Sequence, residues 1–254
     1  MNRKKNRILF YPQRPSKHST IYKIAKVLDY EIINNPQEQY DLAVSWEDIT
    51  FRDISMFLPK ANGKIVNERC NDISKKKIDK IFKSVFNYST FIDPAIFNGK
   101  CVKKSNLNAK HDGQIVECPI ELQEPGVIYQ KLINNENENW GIYDIRTPVF
   151  NQTIPFVLIK SKIRERRFED YFTQSFIQET NTVFNSKEVA DIIKFCKRLG
   201  FDYGELDILR DSTNNKIYII DANNTPWWCP FLPPTESDKA IDKLAETFKK
   251  EFCA

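Results

Sequence analysis

The sequence predicts an α/β (α+β) chain in three parts: an N-terminal parallel-sheet unit over 1–94, a small β-rich lid over 95–136 and a C-terminal mixed-sheet unit over 137–254. Three features predict it. Short apolar strands alternate with helix-period segments in the first part, the pattern of a small parallel sheet. From Pro94 onward short strands follow one another with little helix between them. The last part carries an antiparallel hairpin whose two arms both bear acids, Asp207 and Asp221.

In chain order, Ile8-Leu9-Phe10-Tyr11 reads as a strand, 20–28 as a helix, 31–33 as a short strand and 40–46 as a longer one. A strand over 64–67 precedes a helix over 75–86, where Ile78, Ile81, Phe82 and Val85 recur at three- and four-residue intervals and form one apolar face. Strands over 100–105, 114–118 and 127–133 build the lid. After a polar connection at 134–139 come strands over 142–150 and 156–162. Ser186 is expected to cap a helix that stops at Gly200, with Val189, Ile192, Ile193 and Cys196 on one face. The hairpin follows, and a last helix over 237–252 closes the chain. No internal repeat or low-complexity tract is present.

At 254 residues the chain can bury a substantial core. A hydrophobic content of 41% with 18 Phe and 10 Tyr argues against disorder, and no apolar run reaches the length of a membrane span. The basic start, Arg3-Lys4-Lys5, is followed by too short an apolar run for a signal-peptide core, so a cytoplasmic location is expected. Six cysteines (Cys70, Cys101, Cys118, Cys196, Cys229, Cys253) are scattered without a CxxC pair, as free thiols in a reducing compartment would be. With only His18 and His111 and no GxSxG elbow, a Ser/His/Asp hydrolase is disfavoured. A net charge of +4 without a dense basic and aromatic stripe gives no reason to expect nucleic acid as a partner. The run Lys75-Lys76-Lys77 reads at this level as a solvated helix start.

The hairpin turn, 211–216, is rich in Asp, Ser and Asn, and its flanks are β-branched and aromatic. Alternation puts Glu205, Asp207 and Leu209 on one face of the first arm, and Ile219, Asp221 and Asn223 on one face of the second. If Asp207 faces Asp221, two carboxylates about 4 Å apart at an effective dielectric near 20 repel by roughly 4 kcal/mol. Neither arm spaces a basic residue between them. A cation would remove that cost, and two carboxylates plus an Asn amide are hard oxygen donors suited to magnesium shared with phosphates.

Four segments, in this order, resemble the ATP-grasp superfamily, which includes glutathione synthetase and the D-alanine ligases. Val102-Lys103-Lys104-Ser105 and the loop ending at Gly113 are similar to the family's nucleotide lysine and phosphate-covering loop, although this loop has Gly113 as its one glycine. Val127-Ile128-Tyr129-Gln130-Lys131-Leu132-Ile133 resembles the hinge strand that meets the adenine edge, with Lys131 and Leu132 as the backbone contacts and Glu136 or Glu138 as ribose partners. Asp144-Ile145-Arg146 looks like the family's D-x-R strand, with Asp144 expected to orient the Arg146 guanidinium. Asp207, Asp221 and Asn223 match the magnesium ligands in type and order, and Asn224-Thr225-Pro226 extends the pattern, whereas Trp227-Trp228-Cys229-Pro230 replaces its glycine-rich end.

The resemblance implies an ATP-grasp fold and ATP with Mg2+ as cofactors. It implies an ADP-forming ligase that activates a carboxylate as an acyl phosphate, which an amine then attacks. Lys75 and Lys104 would hold the phosphates, Gly113, Gln130, Lys131, Leu132, Ile133 and Glu138 would surround the nucleotide, and Arg146 with Lys160 or Arg164 would face the acyl phosphate. Ligands of open parallel sheets sit beyond the carboxyl ends of the strands, so Arg14, Lys17 and His18 are candidates for an anionic group and Glu47 or Asp48 for an amine. The expected partners are thus small-molecule carboxylate and amine substrates, without nucleic acid or membrane, and a homodimer is a compatible assembly. Two alternatives stay open here: a small-molecule kinase with the same nucleotide site, and a non-catalytic nucleotide-binding module.

Overall fold

A computed structural model of the chain describes residues 5–53, 65–139, 141–169, 171–228 and 231–253. Cys229 and Pro230, and position 64 of the strand expected over 64–67, lie outside the described residues, as does the start through Lys4.

The first sheet is parallel throughout, in the order β2-β1-β3-β4, from β1 (Arg7–Pro12), β2 (Glu31–Ile33), β3 (Leu42–Trp46) and β4 (Ile65–Val66), with α1 (Thr20–Val27) crossing from β1 to β2. Ile8, Leu9 and Phe10 are fully buried, as expected for a central parallel strand covered on both faces. Then α2 (Lys75–Phe86) starts at Ser74, whose side chain accepts from the Lys77 N–H, and ends at Asn87 in the left-handed conformation. The lid is an antiparallel sheet, β6-β5-β7, of β5 (Gly99–Ser105), β6 (Gln114–Cys118) and β7 (Val127–Lys131).

The C-terminal unit comprises β8 (Glu136–Asn137), β9 (Gly141–Phe150), β10 (Val157–Lys162), β11 (Gln174–Gln178), α3 (Thr180–Val183), α4 (Ser186–Leu199), β12 (Tyr203–Arg210), β13 (Ile217–Asn223) and α5 (Pro234–Phe252). Its sheet runs β11-β10-β9-β12-β13, with β8 paired to the start of β9. Expected to be mixed, this sheet is antiparallel at every described pair, because its strands return along their neighbours rather than crossing over. The helix cap also differs from expectation: Asn185, not Ser186, accepts from the Glu188 N–H while Glu188 reaches back to the Asn185 N–H, a full capping box. β8, β11 and α3 were not among the expected elements, each being too short to show a period.

Two hydrophobic cores join the units. Ile78, Ile81, Phe82 and Val85 of α2 pack with Phe195 and Cys196 of α4 and with Ile208 and Ile219 of the hairpin. Phe10 and Trp46 of the parallel sheet, Ile21 and Ile24 of α1 and Leu244 and Phe248 of α5 pack with Phe150 and Tyr203. Cys70, Cys101, Cys118, Cys196 and Cys253 are free thiols. Among the described residues no helix is long and apolar enough to cross a membrane.

The parallel sheet is pinned to β12 by one buried amide. Asn67, at φ 61° just after β4, accepts through Oδ1 from the N–H groups of Asp202 (2.8 Å) and Tyr203 (2.9 Å), and its Nδ2 donates to the Tyr203 carbonyl at 2.7 Å. An Asn tolerates this left-handed backbone better than most residues. Removing its side chain would leave three backbone groups without partners. Asn67→Ala should therefore destabilise the chain by about 3 kcal/mol, seen as a Tm about 6–12 °C lower in thermal denaturation; an unchanged Tm would show that this junction carries no weight.

Candidate active site

The hairpin places its two acids face to face. Asp207 of β12 is the ladder partner of Asp221 of β13, and Glu205 that of Asn223. The register then slips between Asp207 and Ile208, so that Ile208 pairs with Ile219 and Ile220 is the extra residue of a β-bulge. The bulge corrects one expectation: Ile219 does not share a face with Asp221. Ile219 is fully buried in the core on the far side, while Ile220 and Asp221 both line the cavity.

A third strand completes the row. Arg146 of β9 is the ladder partner of Asp207 on its other side. Its Nε donates to Asp207 Oδ1 at 3.0 Å and its Nη2 to Asp207 Oδ2 at 3.3 Å. Burial alone would raise the Asp207 pKa, but the charges of Arg146 and Lys160 hold it below the usual carboxylate range. From α2, Lys75 Nζ comes within 3.4 Å of Asp221 Oδ2 and donates to the Leu107 carbonyl at 2.7 Å. Thus basic residues do neutralise the acid pair, supplied by other elements rather than by the hairpin arms. Lys75 is 5% exposed, so the first lysine of the basic run turns inward and is not part of a solvated helix start.

Asp144 does not orient Arg146. Positions two apart on a strand are about 7 Å from each other, whereas Asp207 stands directly across the ladder. Asp144 instead accepts from Lys162 Nζ at 2.8 Å and is approached by Asn135 Nδ2 at 3.4 Å.

These groups line one cavity that is open to solvent. Lys75, Lys104, Asp207 and Asp221 meet there with Arg146, Lys160, Lys162 and Arg167, and Gln130, Lys131, Leu132 and Ile133 form the hinge wall. Lys104 has its pKa pulled down to about 8 by burial, with the charge of Lys75 adding to the effect and Asp221 opposing it. Gly113 also lines the cavity, under the Phe168 ring: a Cβ there would lie 2.7 Å from Phe168 Cδ1. Lys160 is 5% exposed and its Nζ sits 4.5 Å from the centroid of the Phe172 ring.

At the hinge, the Lys131 N–H donates to the Thr90 carbonyl at 2.8 Å, and the Tyr129 and Ile133 carbonyls accept from the Ile92 and Asn135 N–H groups, both at 3.1 Å. Gln130 is buried, and its Nε2 donates to Thr90 Oγ1 at 3.1 Å. Thr90 is in turn held by Asp79, which accepts from its N–H and its hydroxyl at 2.7 and 2.8 Å. That arrangement turns the Gln130 carbonyl away from Thr90. The Lys131 ammonium points elsewhere, 5.7 Å over the Tyr218 ring.

Several predicted residues stand apart. Arg164, exposed on a short 3-10 turn (Arg164–Arg166), ion-pairs with Glu136 and shares a shallow neighbouring cleft with Glu138 and Lys162, outside the main cavity. Arg14 lines another cleft, with Tyr22, Lys26 and Glu38. Lys17 is exposed. His18 stacks on Trp227 at 5.9 Å, and Asp48, next to the half-buried Glu47, accepts from Thr225 Oγ1 at 3.1 Å. Asn223 is occupied locally, its Oδ1 accepting from the Thr225 N–H at 2.9 Å. Sequence reasoning missed Arg167, whose Nη2 donates to the Ile133 carbonyl and Asn135 Oδ1, and missed the aromatic wall of Phe168 and Phe172. The density of basic residues over 160–167 was visible, but which of them turn inward depends on the 3-10 turn.

Among the described residues no group of three or more His, Cys, Asp or Glu side chains forms a ready cage for a metal. The donor chemistry nevertheless fits magnesium, which binds through one or two carboxylates plus phosphate oxygens and water rather than in an all-protein cage. Asp207 and Asp221 are two such carboxylates on facing ladder positions, each now balanced by a cationic side chain.

No protein-family model matches the chain, and none of the curated proteins matches it in sequence. Solved structures are similar to it in fold. D-alanine--D-alanine ligase from Bacillus anthracis superposes with a TM-score of 0.58 at 14% identity, covering 97% of each chain. A RimK domain ATP-grasp protein from Sphaerobacter thermophilus DSM 20745 gives 0.56 at 10% identity, over 98% of this chain and 100% of that one. The ATP-grasp ligase PsnB, in a complex with a phosphomimetic variant of its minimal precursor, Mg and ADP, gives 0.59 at 12% identity, over 98% and 99%. The parallel sheet, the three-stranded lid and the acid-bearing hairpin over a basic cavity together make this chain an ATP-grasp fold.

Proposed function

We propose that this chain is an ATP-dependent ligase that joins a carboxylate to an amine through an acyl phosphate, releasing ADP and phosphate. The observation that carries the reading is the Arg146–Asp207–Asp221 row facing Lys75 and Lys104 across one cavity. A nucleotide is a good match for that cavity. Leu132 and the Gln130 side-chain amide would face the base; Lys104 and Lys75 would meet the phosphates as point charges; Asp207 and Asp221, with Asn223, would hold the magnesium ion. That ion, when bound, neutralises charge on the transferring phosphoryl group. Arg146 and Lys160 then face the acyl phosphate, where charge builds as the amine attacks. Phosphoryl transfer needs position and charge rather than a covalent nucleophile, which suits a cavity lined by lysines, arginines and acids and in which His111 is the one imidazole.

A ligase is favoured over a kinase by the density of basic side chains lining the cavity, Arg146, Lys160, Lys162 and Arg167 among them, more positive charge than a neutral hydroxyl acceptor requires. One observation also favours a carboxylate carried by a peptide over a free small acid. Phe231, 57% exposed, packs edge-on against Phe172 of the cavity wall, an exposed apolar edge that a larger substrate would cover.

Two measurements test the reading. With ATP, Mg2+ and pools of free carboxylates, short acidic peptides and amines, ADP release should require both an acid and an amine, and a carboxylate labelled with 18O should pass its label to the released phosphate. Asp207→Asn or Asp221→Asn should each cut that release by about 100-fold or more. Label-free phosphate, or ADP release indifferent to the acid, would overturn the ligase assignment. The second concerns Lys104: phosphates bind its charged form, and with a pKa near 8 the charge is lost as pH rises through that value. ATP affinity should therefore weaken several-fold between pH of about 7 and about 9, and Lys104→Arg should flatten the profile; an equally steep profile in the arginine variant would remove Lys104 from the phosphate site.

A further inference from the structure

We propose that Glu205 is a positioning residue that holds Arg146 in the site once Asp207 is engaged by a divalent cation. The inference rests on the metal and nucleotide reading above and goes beyond it, since Glu205 is none of the ligands assigned there. Glu205 is 3% exposed and two residues before Asp207 on β12, so both side chains leave the same face. Its Oε1 accepts from the hydroxyl of Thr20, the first residue of α1, at 3.3 Å. Its Oε2 makes no hydrogen bond and lies 3.3 Å from Arg146 Nη1. A carboxylate this deeply buried needs a facing charge, and Arg146 supplies it.

The two acids meet different parts of the guanidinium. The Nε and Nη2 edge donates to Asp207, whereas Nη1 faces Glu205 as an ion pair without a hydrogen bond, so the carboxylates do not compete for one N–H. A cation shared by Asp207 and Asp221 uses the oxygens that Arg146 now holds, and its charge repels the guanidinium. Held by Asp207 alone, Arg146 would either block that carboxylate or leave the site. With Glu205 as second counter-ion, Arg146 stays and its Nε and Nη2 edge becomes available to an anion.

The test is binding, without turnover: Mn2+ titrated in the presence of a saturating non-hydrolysable ATP analogue and followed by calorimetry or by the Mn2+ electron paramagnetic resonance signal. Glu205→Gln should weaken Mn2+ binding about tenfold, and this loss should largely vanish in an Arg146→Gln background, a non-additive cycle. Glu205→Asp keeps the charge but retracts the carboxylate from Nη1, so it should weaken Mn2+ binding nearly as much. Should Glu205→Gln fail to fold in a thermal melt, the Asp variant decides alone. Wild-type affinity in Glu205→Asp, or an equal loss from Glu205→Gln with and without Arg146, would reduce Glu205 to a diffuse charge and overturn the proposal. Failure of the wild-type chain to bind Mn2+ and the analogue at all would instead overturn the nucleotide reading, and this inference with it.

Discussion

Two carboxylates on facing positions of an antiparallel ladder cannot stay charged and unbalanced, and the site is organised around that constraint. The pairing of Asp207 with Asp221 follows from the register of β12 and β13, and the bulge at Ile220 lets the same strand bury Ile219 on one side and aim Asp221 at the cavity on the other. Cations converge from three elements: Arg146 from β9, Lys75 from the start of α2 and Lys104 from the lid. Each is largely withdrawn from water. Balance between fixed charges in a low-dielectric cavity, rather than any reactive side chain, is the chemical character of the site.

Convergence of this kind demands that the units be held to one another. Packing of α2 against α4 and the hairpin fixes Lys75 relative to Asp221, and the Asn67 amide fixes the carboxyl end of the parallel sheet against the start of β12. Thr20, whose N–H donates to the Pro226 carbonyl while its hydroxyl reaches Glu205, ties the amino end of α1 to the same hairpin. Lys75 and the acid-bearing hairpin therefore share one packed support. The lid loop is tied to this frame by the Asn106 and Leu107 carbonyls, which accept from the Lys75 N–H and Nζ, and Gly113 sits beneath Phe168, where a Cβ would collide with the ring.

Legibility from sequence followed the range of the interactions. The helical period of Ile78, Ile81, Phe82 and Val85 and the turn chemistry of 211–216 located α2 and the hairpin to within a residue or two, because both are local. The acid-bearing arms and the D-x-R strand were legible as motifs. Illegible were the partners: Asp144 turned to Lys162 and not to Arg146, Arg164 fell outside the cavity while Arg167 entered it, and Arg14 faced a separate cleft. The strands β8 and β11 escaped notice because two residues, or five with Phe176 and Ile177 adjacent, are too few to show a period of two; the neighbouring strand makes them strands.

What the amino-acid sequence determined by itself was therefore the inventory and its local elements: which residue types exist, where the periodic helices and the hairpin lie, and that Asp207, Asp221 and Asn223 lie on two arms of one hairpin. The tertiary structure decided which charges meet. Cross-strand and helix-to-sheet neighbours are set by register and packing between segments far apart in the chain, and Glu205 shows the consequence. In sequence it is one more acid on a strand; in the fold it is a buried carboxylate between Thr20 and Arg146, because burial and ladder position, not spacing, assign a charge its partner.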